Sequence, residues 1–358
     1  MKAIIAAGGR GTRVRPLTWT RNKHLIPLAN KPMIVHAIEK VKTAGITDII
    51  LNINPGDTEL SSVLGDGSQF GVKLTYLEQQ GGALGIAHVV YNAKSFLQDD
   101  AFLFYLGDNI ILGSLQRFVQ RFYEEHLHCM IALSRVKDPE RFGVPQFSQD
   151  GVLECVVEKP KNPPSPFAVT GIYLFDKDFF TYFPDMKPSA RGEYEITDII
   201  TRYIQEPEKK VGYEEITGWW KDTGNFEALL EGNMLLLDEL PYGAFQSQAE
   251  IHPDAQIQGR VQIGKGTVIG RDVSIRGPVI IGENCRLETS RIGSYTSIGN
   301  KVNIKESDIQ QTIVFDEVTI DQVNGIHDSI IGHRAVLSAH RQKRGPRMII
   351  GDNSIVEL

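Results

Sequence analysis

The first feature that could do chemistry is the glycine-rich run Gly8–Thr12, with Arg13 directly behind it. It follows Lys2–Ala7, a short apolar segment typical of a buried strand. Glycines let a backbone adopt positive φ and approach an anion closely, so the N–H groups of this loop could bind phosphate oxygens. The dinucleotide-binding fingerprint does not fit, because Val14 stands where its last glycine is required. The sequence therefore predicts an anion site beyond the first strand.

Two aspartates could hold a metal ion beside such an anion. Asp108 follows the apolar segment Ala101–Leu106, and Asp222 lies in a polar loop far away in the sequence. Two carboxylates, together with phosphate oxygens and water, suit Mg²⁺, which requires octahedral oxygen ligation. A single aspartate in such a loop could instead cap a turn or a helix. We interpret the pair as magnesium ligands.

The elements that must position these residues alternate between strands and helices. Such alternation predicts crossover connections and an α/β fold with a Rossmann-like, mixed but mainly parallel sheet. Ligands of these sheets bind beyond the carboxyl ends of the strands, so the loops after Ala7 and Leu106 are the expected binding places. The predicted strands are Lys2–Ala7, Asp48–Asn54, Lys73–Glu78 and Ala101–Leu106, and the predicted helices are Pro32–Ala44, Leu84–Phe96 and Leu115–His126.

A different repeat begins after an apolar helix predicted at Phe226–Leu240. An aliphatic residue then recurs every six positions, and the period resumes after one residue is lost near Leu287. This period is typical of a left-handed parallel β-helix, in which three hexads form one triangular coil. We therefore predict an α/β domain at residues 1–240, which carries the anion site, and a β-helix domain at 241–358. The repeating residues are Ile251, Ile257, Ile263, Ile269, Ile275, Ile281, Leu287, Ile292, Ile298 and Ile304.

Composition excludes several classes of protein. The chain has 358 residues, 41% of them hydrophobic and 23% charged, which is typical of a globular protein with two domains. The net charge of −6 argues against a nucleic-acid-binding protein. Three widely spaced cysteines suit a reducing cytoplasm better than a disulfide framework. No apolar run is long enough to span a membrane, so we expect a soluble cytoplasmic protein with no membrane partner.

Several motifs accompany the glycine loop, in order, over about the first 240 residues. With them the chain closely resembles the sugar nucleotidyltransferase family, and within it the longer glucose-1-phosphate thymidylyltransferases that carry an appended β-helix. His24 stands where many shorter members have glutamine; the longer group often has histidine. The motifs are Gly8–Arg13, Lys23–Leu28, Lys31–Met33, Gly107–Asn109, Phe142–Val144, Glu158–Pro160, Val169–Tyr173, Arg191–Glu193 and Trp220–Gly224.

The resemblance implies a reaction and a set of site residues. A phosphate oxygen of glucose 1-phosphate would attack the α-phosphorus of dTTP in line, with Mg²⁺ as cofactor, and pyrophosphate would leave. Both reactants are anions, so catalysis depends on charge neutralisation and alignment. The catalytic cations would be Arg13, Lys23 and Lys159, and the metal ligands Asp108 and Asp222. The nucleotide would be bound by Ala7, Gly8, Gly9, Gly11, Thr12, Arg13, Gln79, Gly85 and Asp108. The sugar phosphate would be bound by Gly143, Glu158, Lys159, Val169, Tyr173 and Arg191.

Some of these expectations leave alternatives open. Tyr173 stands in an apolar segment and could equally belong to the core. The Gln79 amide could pair with thymine or uracil, whose difference of one methyl group is worth at most about 1–3 kcal/mol, so UTP is an alternative substrate. The chain could also transfer acetyl groups through a β-helix histidine (His252, His327, His333 or His340), or bind nucleotide sugars as a non-catalytic regulatory subunit. Flat coil faces and an open helix end favour a homo-oligomer.

Overall fold

The computed structural model describes residues 1–97, 100–242, 248–339 and 348–357. His340 and the basic run that begins with it, residues 340–347, lie outside the described residues. The chain divides into two compact units. The first unit comprises Met1–Gly9 and Ile34–Asp222, and the second comprises Arg10–Met33 and Thr223–Leu358. The predicted domain boundary at residue 240 stays a prediction, because compact units defined by contacts need not begin and end where the sequence pattern changes.

A seven-stranded sheet forms the centre of the first unit. The strand Lys2–Ala6 pairs in parallel with Asp48–Ile53 on one side and Phe102–Leu106 on the other. Phe167–Phe175 runs antiparallel to Phe102–Leu106, so the sheet is mixed, as predicted. The strand order is Val211–Glu215, Cys129–Arg135, Phe167–Phe175, Phe102–Leu106, Lys2–Ala6, Asp48–Ile53 and Lys73–Glu78.

Amphipathic helices cover this sheet because each buries its apolar stripe against the strands. The predicted single helix at Leu84–Phe96 is wrong in detail, since helical structure pauses at Ala93 between two shorter helices. The α-helices of this unit are Met33–Thr43 (with Met33 assigned to the other unit), Glu59–Leu64, Ile86–Asn92, Lys94–Leu97, Gln116–Glu124, Phe179–Tyr182 and Ile196–Gln205. Single 3₁₀ turns lie at Ser68–Phe70, Pro139–Arg141 and Phe183–Asp185.

Two small antiparallel strand pairs stand apart from the main sheet of the first unit. Gly143–Phe147 pairs antiparallel with Leu153–Glu158, and the helix Ile196–Gln205 packs on this pair. Asn109–Ile111 pairs antiparallel with Trp220–Asp222. Both strand pairs carry predicted site residues at their ends.

The second unit contains the predicted β-helix. Its strands are two or three residues long and stack in three parallel sheets. The register advances by one coil at a time, as in Ile251 beside Ile269 and Ile269 beside Leu287. Eight of the ten recurring aliphatic residues, from Ile263 to Ile304, are buried in its core, whereas Ile257 is partly buried and Ile251, in the first strand, is 40% exposed. The strands begin with Glu250–Ile251, Gln256–Gln258 and Val261–Ile263 and end with Val336–Ser338, Ile349–Ile350 and Ile355–Glu357.

The second unit also includes the N-terminal loop, by which we mean residues 10–33. This loop contains 3₁₀ turns at Thr12–Val14 and Lys23–Leu25 and a tight hairpin of Pro27–Leu28 with Lys31–Pro32. The α-helix Phe226–Asp238 forms where the apolar segment predicted one, and it is grouped with this unit. Within the described residues, no helix is both long and apolar enough to cross a membrane.

Candidate active site

Gly8 and Gly11 follow the first strand, and the structure gives different reasons for a glycine at each position. The Ala7 N–H donates to Asn52 O at 2.7 Å, which fixes the point where the chain leaves the sheet. A Cβ added to Gly8 would make only ordinary contacts, 3.5 Å from Asn52 Oδ1. Packing therefore does not require glycine at position 8, and close approach of a ligand remains the physical reason for it.

Gly11, in contrast, is required by its own surroundings. Its φ is +59°, and a Cβ there would lie 2.8 Å from Thr18 Cγ2 and 3.0 Å from Lys23 Cβ. The Thr18 hydroxyl donates to Gly11 O at 2.7 Å, which closes the loop on itself. Lys23 is only 5% exposed, so its stem lies packed beneath Gly11, whereas Arg13 and Thr12 are exposed. The side chain of Lys23 thus has the burial of a fixed group rather than of a solvated surface lysine.

The structure brings the two predicted metal ligands to adjacent positions of the first unit. In the antiparallel pair of Asn109–Ile111 with Trp220–Asp222, Asp222 faces Asn109, the residue that follows Asp108. Facing residues of antiparallel strands have Cα atoms roughly 4.5–5.5 Å apart, so the two aspartates are neighbours. Asn109 Nδ2 donates to Asp108 Oδ1 at 3.1 Å, and Trp220 Nε1 donates to Asn109 Oδ1 at 2.6 Å. Asn109 and Trp220 therefore help to fix the Asp108 carboxylate.

The donor set at this pair fits magnesium. Both side chains offer only hard carboxylate oxygens, and Mg²⁺ commonly takes one or two carboxylates and fills its remaining positions with water and substrate phosphates. In the part of the chain that the structure describes, no group of three or more His, Cys, Asp or Glu side chains could hold a metal. The arrangement suits an ion that arrives with a phosphate ligand rather than one enclosed by protein.

A second cluster collects most of the residues predicted to bind the sugar phosphate. Arg191 Nη2 lies 3.3 Å from Glu158 Oε1, and Lys159 Nζ lies 3.6 Å from the same oxygen. Gly143 pairs with Glu158 in the hairpin, and a Cβ at Gly143 would stand 3.4 Å from Glu158 Oε2. Lys159 has φ +43° and its N–H donates to Phe142 O at 2.9 Å. We call Gly143, Glu158, Lys159 and Arg191 the acceptor cluster.

Glu195 is a member of this region that sequence reasoning missed. It accepts hydrogen bonds from Arg191 Nη2 at 2.7 and 2.9 Å, and from the Ser189 hydroxyl at 2.6 Å. The Glu195 side chain is 9% exposed, against 37% for Arg191, so a buried carboxylate fixes a half-exposed guanidinium. The spacing of four residues between the two charges was the available signal, but they precede the helix Ile196–Gln205 rather than lie within it.

Burial and the neighbouring charges also change the pKa of Glu158. Burial raises the pKa of the Glu158 carboxyl above its ordinary value, and repulsion by Glu195 adds to this. The positive charges of Lys159 and Arg191 act in the opposite direction. Protonation turns one carboxyl oxygen into a donor, leaves the other as an acceptor, and removes the charge that strengthens hydrogen bonds from hydroxyl groups. The site therefore carries a titratable group whose protonation would change how a sugar hydroxyl is bound.

Val169 and Tyr173 lie in the strand beside the acceptor cluster, and both are buried. The strand register shifts between them, around Gly171, whose φ is +77° and where a Cβ would overlap Leu106. The Tyr173 ring packs in the core against Phe104 and Phe175, as the alternative interpretation allowed. Burial chiefly, and then the nearby Glu158 charge, raise the pKa of Tyr173. The ring of Tyr173 is therefore a core group.

The predicted base-reading residue Gln79 is already engaged in hydrogen bonds. Its Oε1 accepts from Asn52 Nδ2 at 2.8 Å, and its Nε2 donates to Gly82 O at 3.2 Å and approaches His88 Nδ1 at 2.8 Å. Burial lowers the pKa of His88, which favours a neutral ring that accepts at Nδ1. Gln79 thus retains one acceptor position on Oε1 for a base, and donation to a base would require one of these bonds to be exchanged.

Gly85 has a structural role in the same region. Its φ is +94°, and a Cβ would stand 2.7 Å from Tyr194 O. The neighbouring backbone pairs there, because Tyr194 N–H donates to Leu84 O at 2.7 Å. Gly85 therefore lets the turn before the helix Ile86–Asn92 lie against the segment that carries Arg191.

The comparisons with known proteins show what the chain is similar to. The family model described as nucleotidyl transferase matches residues 2–239. A glucose-1-phosphate thymidylyltransferase from Streptomyces griseus is 35% identical and one from Streptomyces antibioticus 36%; each match covers 100% of this chain and 99% of the relative. A solved structure described as a glucose-1-phosphate thymidylyltransferase from Bacillus anthracis, in complex with sucrose, is 41% identical with a TM-score of 0.62 over 68% of this chain and 97% of that one.

The chain belongs to the nucleotidyl transferase family. The match spans the mixed sheet and every motif that carries a predicted site residue. The full-length relatives also cover the β-helix, so the resemblance extends beyond the catalytic portion. The expectation of a long-form sugar nucleotidyltransferase is confirmed.

Proposed function

We propose that the chain joins glucose 1-phosphate to dTTP, forming dTDP-glucose and releasing pyrophosphate. The observation that carries the proposal is the acceptor cluster, in which a carboxylate and two cations meet beside a glycine. A sugar 1-phosphate has hydroxyl donors at one end and a phosphate at the other. Glu158 would accept from the hydroxyls, and Lys159 and Arg191 would bind the phosphate, so the cluster matches both ends of the molecule.

The nucleotide would bind at the loop that follows the first strand. The backbone N–H groups of Gly8, Gly9 and Gly11 would donate to phosphate oxygens, since glycines permit the close approach that this needs. Arg13 and Lys23 would neutralise the charge that gathers on the departing pyrophosphate. Lys23 suits this role because its side chain is held under Gly11 and loses little freedom when phosphate binds.

Asp108 and Asp222 would hold Mg²⁺ together with phosphate oxygens and water. When bound, the ion would supply charge neutralisation at the triphosphate, which lowers the barrier to attack by a second anion. Asn109 and Trp220 would orient the Asp108 carboxylate through the hydrogen bonds already described, and the strand pairing would bring Asp222 beside it.

The specificity for the base is expected to be moderate. Gln79 would accept from the ring N–H that thymine and uracil share, since the position left on Oε1 is an acceptor. At the base, only one methyl group then separates thymine from uracil, and it is worth about 1–3 kcal/mol; the 2′-hydroxyl of UTP is the other difference between the two triphosphates. We further propose that the protein acts as a homo-oligomer, in line with the open end of its β-helix.

A substrate panel tests the proposal. The purified chain is mixed with Mg²⁺, each of dTTP and UTP, and each of several hexose 1-phosphates, and pyrophosphate release is measured. We expect the highest kcat/KM for dTTP with glucose 1-phosphate and a lower value for UTP. A preference for UTP would support the uridylyltransferase alternative. No turnover with any pair, despite nucleotide-sugar binding, would support the regulatory-subunit alternative. Acetyl transfer from acetyl-CoA to an amino sugar phosphate would support the bifunctional alternative.

A further inference from the structure

The N-terminal loop carries Arg13 and Lys23 and is joined to the β-helix by hydrogen bonds within the second unit. The hairpin tip at Ala29 and Asn30 is the first junction. The Ala29 N–H donates to Asn233 Oδ1 at 2.8 Å, and Asn30 Nδ2 donates to Ile298 O at 2.6 Å. Asn233 lies on the helix Phe226–Asp238, so helix, loop and coil meet at one point.

Asn233 is the centre of this junction. Its Oδ1 also accepts from the Ser297 hydroxyl at 3.0 Å, so one buried oxygen joins the loop to the β-helix. Asn233 is 1% exposed and Ser297 is fully buried. An oxygen buried to this extent has no water to replace a lost partner, so the bonds that it accepts fix the geometry strongly.

The backbone at the hairpin tip adopts a strained conformation that needs support from its surroundings. Ala29 has φ +46° and Asn30 has φ +61°, the left-handed region that alanine rarely occupies. Strained backbone persists where the surrounding structure over-determines it, and such places cluster at ligand-binding sites. The Asn233 oxygen supplies the constraint by holding the Ala29 N–H.

The constraint continues from the hairpin to Lys23. Met33 N–H donates to Ile26 O at 3.1 Å, which closes the hairpin base, and Ile26 N–H donates to Lys23 O at 3.1 Å. Lys23 in turn packs under Gly11. A shift of the hairpin tip would therefore be passed along a short chain of hydrogen bonds to a side chain that the proposed function places on the triphosphate.

A second junction fixes the middle of the loop to the last coil. The Thr20 hydroxyl donates to Asp352 Oδ2 at 2.8 Å, while Asp352 Oδ1 accepts from His333 N at 2.8 Å. Gly351 lies beside Pro16, since a Cβ built on it would stand 3.4 Å from Pro16 Cβ, an ordinary contact distance. The loop is thus joined to the β-helix on both sides of Lys23 in the sequence.

We infer that Asn233 is a positioning residue for nucleotide binding, and that the β-helix supports the loop that grips the triphosphate. The inference rests on the proposed function, which gives Arg13 and Lys23 their ligand. Asn233 acts through Ala29 and Ser297, and it reaches the site only by way of the loop. The β-helix then contributes to catalysis without holding a reacting group.

Steady-state kinetics of three alanine variants test the inference. Asn233→Ala should raise the KM for dTTP about tenfold and lower kcat, with an unchanged KM for glucose 1-phosphate. Ser297→Ala should raise the KM for dTTP two- to fivefold, roughly the effect of one lost hydrogen bond. Ser307→Ala is the matched control, because Ser307 is equally buried and bonds to Lys305 O and Val323 N inside the β-helix. Its KM for dTTP should stay at the value of the unaltered chain.

Asn233→Asp adds a readout that separates positioning from stability. It keeps the accepting oxygen but buries a charge, so it should lower the melting temperature and yet hold the KM for dTTP near that of the unaltered chain. Equal KM values for dTTP in Ser297→Ala and Ser307→Ala, or a KM for glucose 1-phosphate that rises in parallel, would overturn the inference.

If the unaltered chain showed no turnover of dTTP with glucose 1-phosphate, the proposed function would be refuted instead. Equilibrium binding of dTTP would then decide the positioning role. Weaker binding by Asn233→Ala and Ser297→Ala than by Ser307→Ala would support it, and equal binding by all three would overturn it.

Discussion

The ion pair of Arg191 with Glu195 gives the sharpest prediction about the acceptor cluster. Glu195→Gln keeps the shape of the side chain but removes the charge that holds the guanidinium. The amide also turns an N–H group towards Arg191 in place of one accepting oxygen, so the double contact of Arg191 is lost. Arg191 would then sample other orientations, and the phosphate of glucose 1-phosphate would have to order it on binding.

The size of the effect follows from exposure and bonding. Hydrogen bonds to charged groups contribute about 1.5–3 kcal/mol, and the 37% exposure of Arg191 reduces this by solvent screening. We expect a loss of about 1–1.4 kcal/mol, which corresponds to a roughly five- to tenfold higher KM for glucose 1-phosphate. The KM for dTTP should stay unchanged, because Glu195 bonds to no residue predicted to bind the nucleotide.

A neighbouring carboxylate provides the control. Glu193 lies 3.3 Å from the same Arg191 nitrogen but is 40% exposed and makes a single contact, so Glu193→Gln should change neither KM more than about twofold. The assay is initial-rate pyrophosphate release with one substrate varied and the other saturating. Equal effects of the two variants on the KM for glucose 1-phosphate, or an unchanged KM in Glu195→Gln, would refute the reasoning.

Three further predictions concern other parts of the site. Because the pKa of Glu158 is raised, kcat/KM for glucose 1-phosphate should fall as the pH drops through a value above the ordinary 4.5 of glutamate, and Glu158→Gln should remove that acidic limb of the pH profile. Gly171→Ala should lower the free energy of unfolding, measured in urea, by about 2–4 kcal/mol, because it combines positive φ with an overlap at Leu106. Gly151→Ala, at φ +79° in open space, should lower it by only about 1 kcal/mol. Equal losses in the two variants would contradict this explanation. Asp108→Asn should abolish magnesium-dependent turnover while the circular dichroism spectrum is preserved, and near-normal turnover would remove Asp108 from the metal site.

Local patterns predicted most of the fold, because each pattern reflects a repeating burial requirement. The six-residue repeat defines the β-helix, since every sixth side chain must point into a triangular coil. The strands Lys2–Ala6 and Phe102–Leu106 were recognisable as apolar runs before polar loops. The break of the predicted helix at Ala93 was not readable, because helical periodicity continues on both sides of it.

The site was less accessible to sequence reasoning, because its geometry depends on long-range pairing. Nothing local indicates that Trp220–Asp222 pairs with Asn109–Ile111, and that pairing is what makes the two aspartates neighbours. Nor does local sequence reveal that Asn52 and His88 occupy the hydrogen-bonding groups of Gln79. The bonds of Asn233 to the N-terminal loop are equally remote in sequence. Motifs identified which residues matter, and the structure supplied the neighbours that orient them.

The central claim is that a phosphate oxygen of the sugar phosphate attacks the α-phosphorus of dTTP. The most direct test uses glucose 1-phosphate with ¹⁸O in its three terminal phosphate oxygens, unlabelled dTTP and Mg²⁺, and mass spectrometry of both products. The account predicts that dTDP-glucose retains all three labels, one of them in the new P–O–P bridge, and that pyrophosphate carries none. Label in pyrophosphate, or a failure to form any sugar nucleotide, would contradict it.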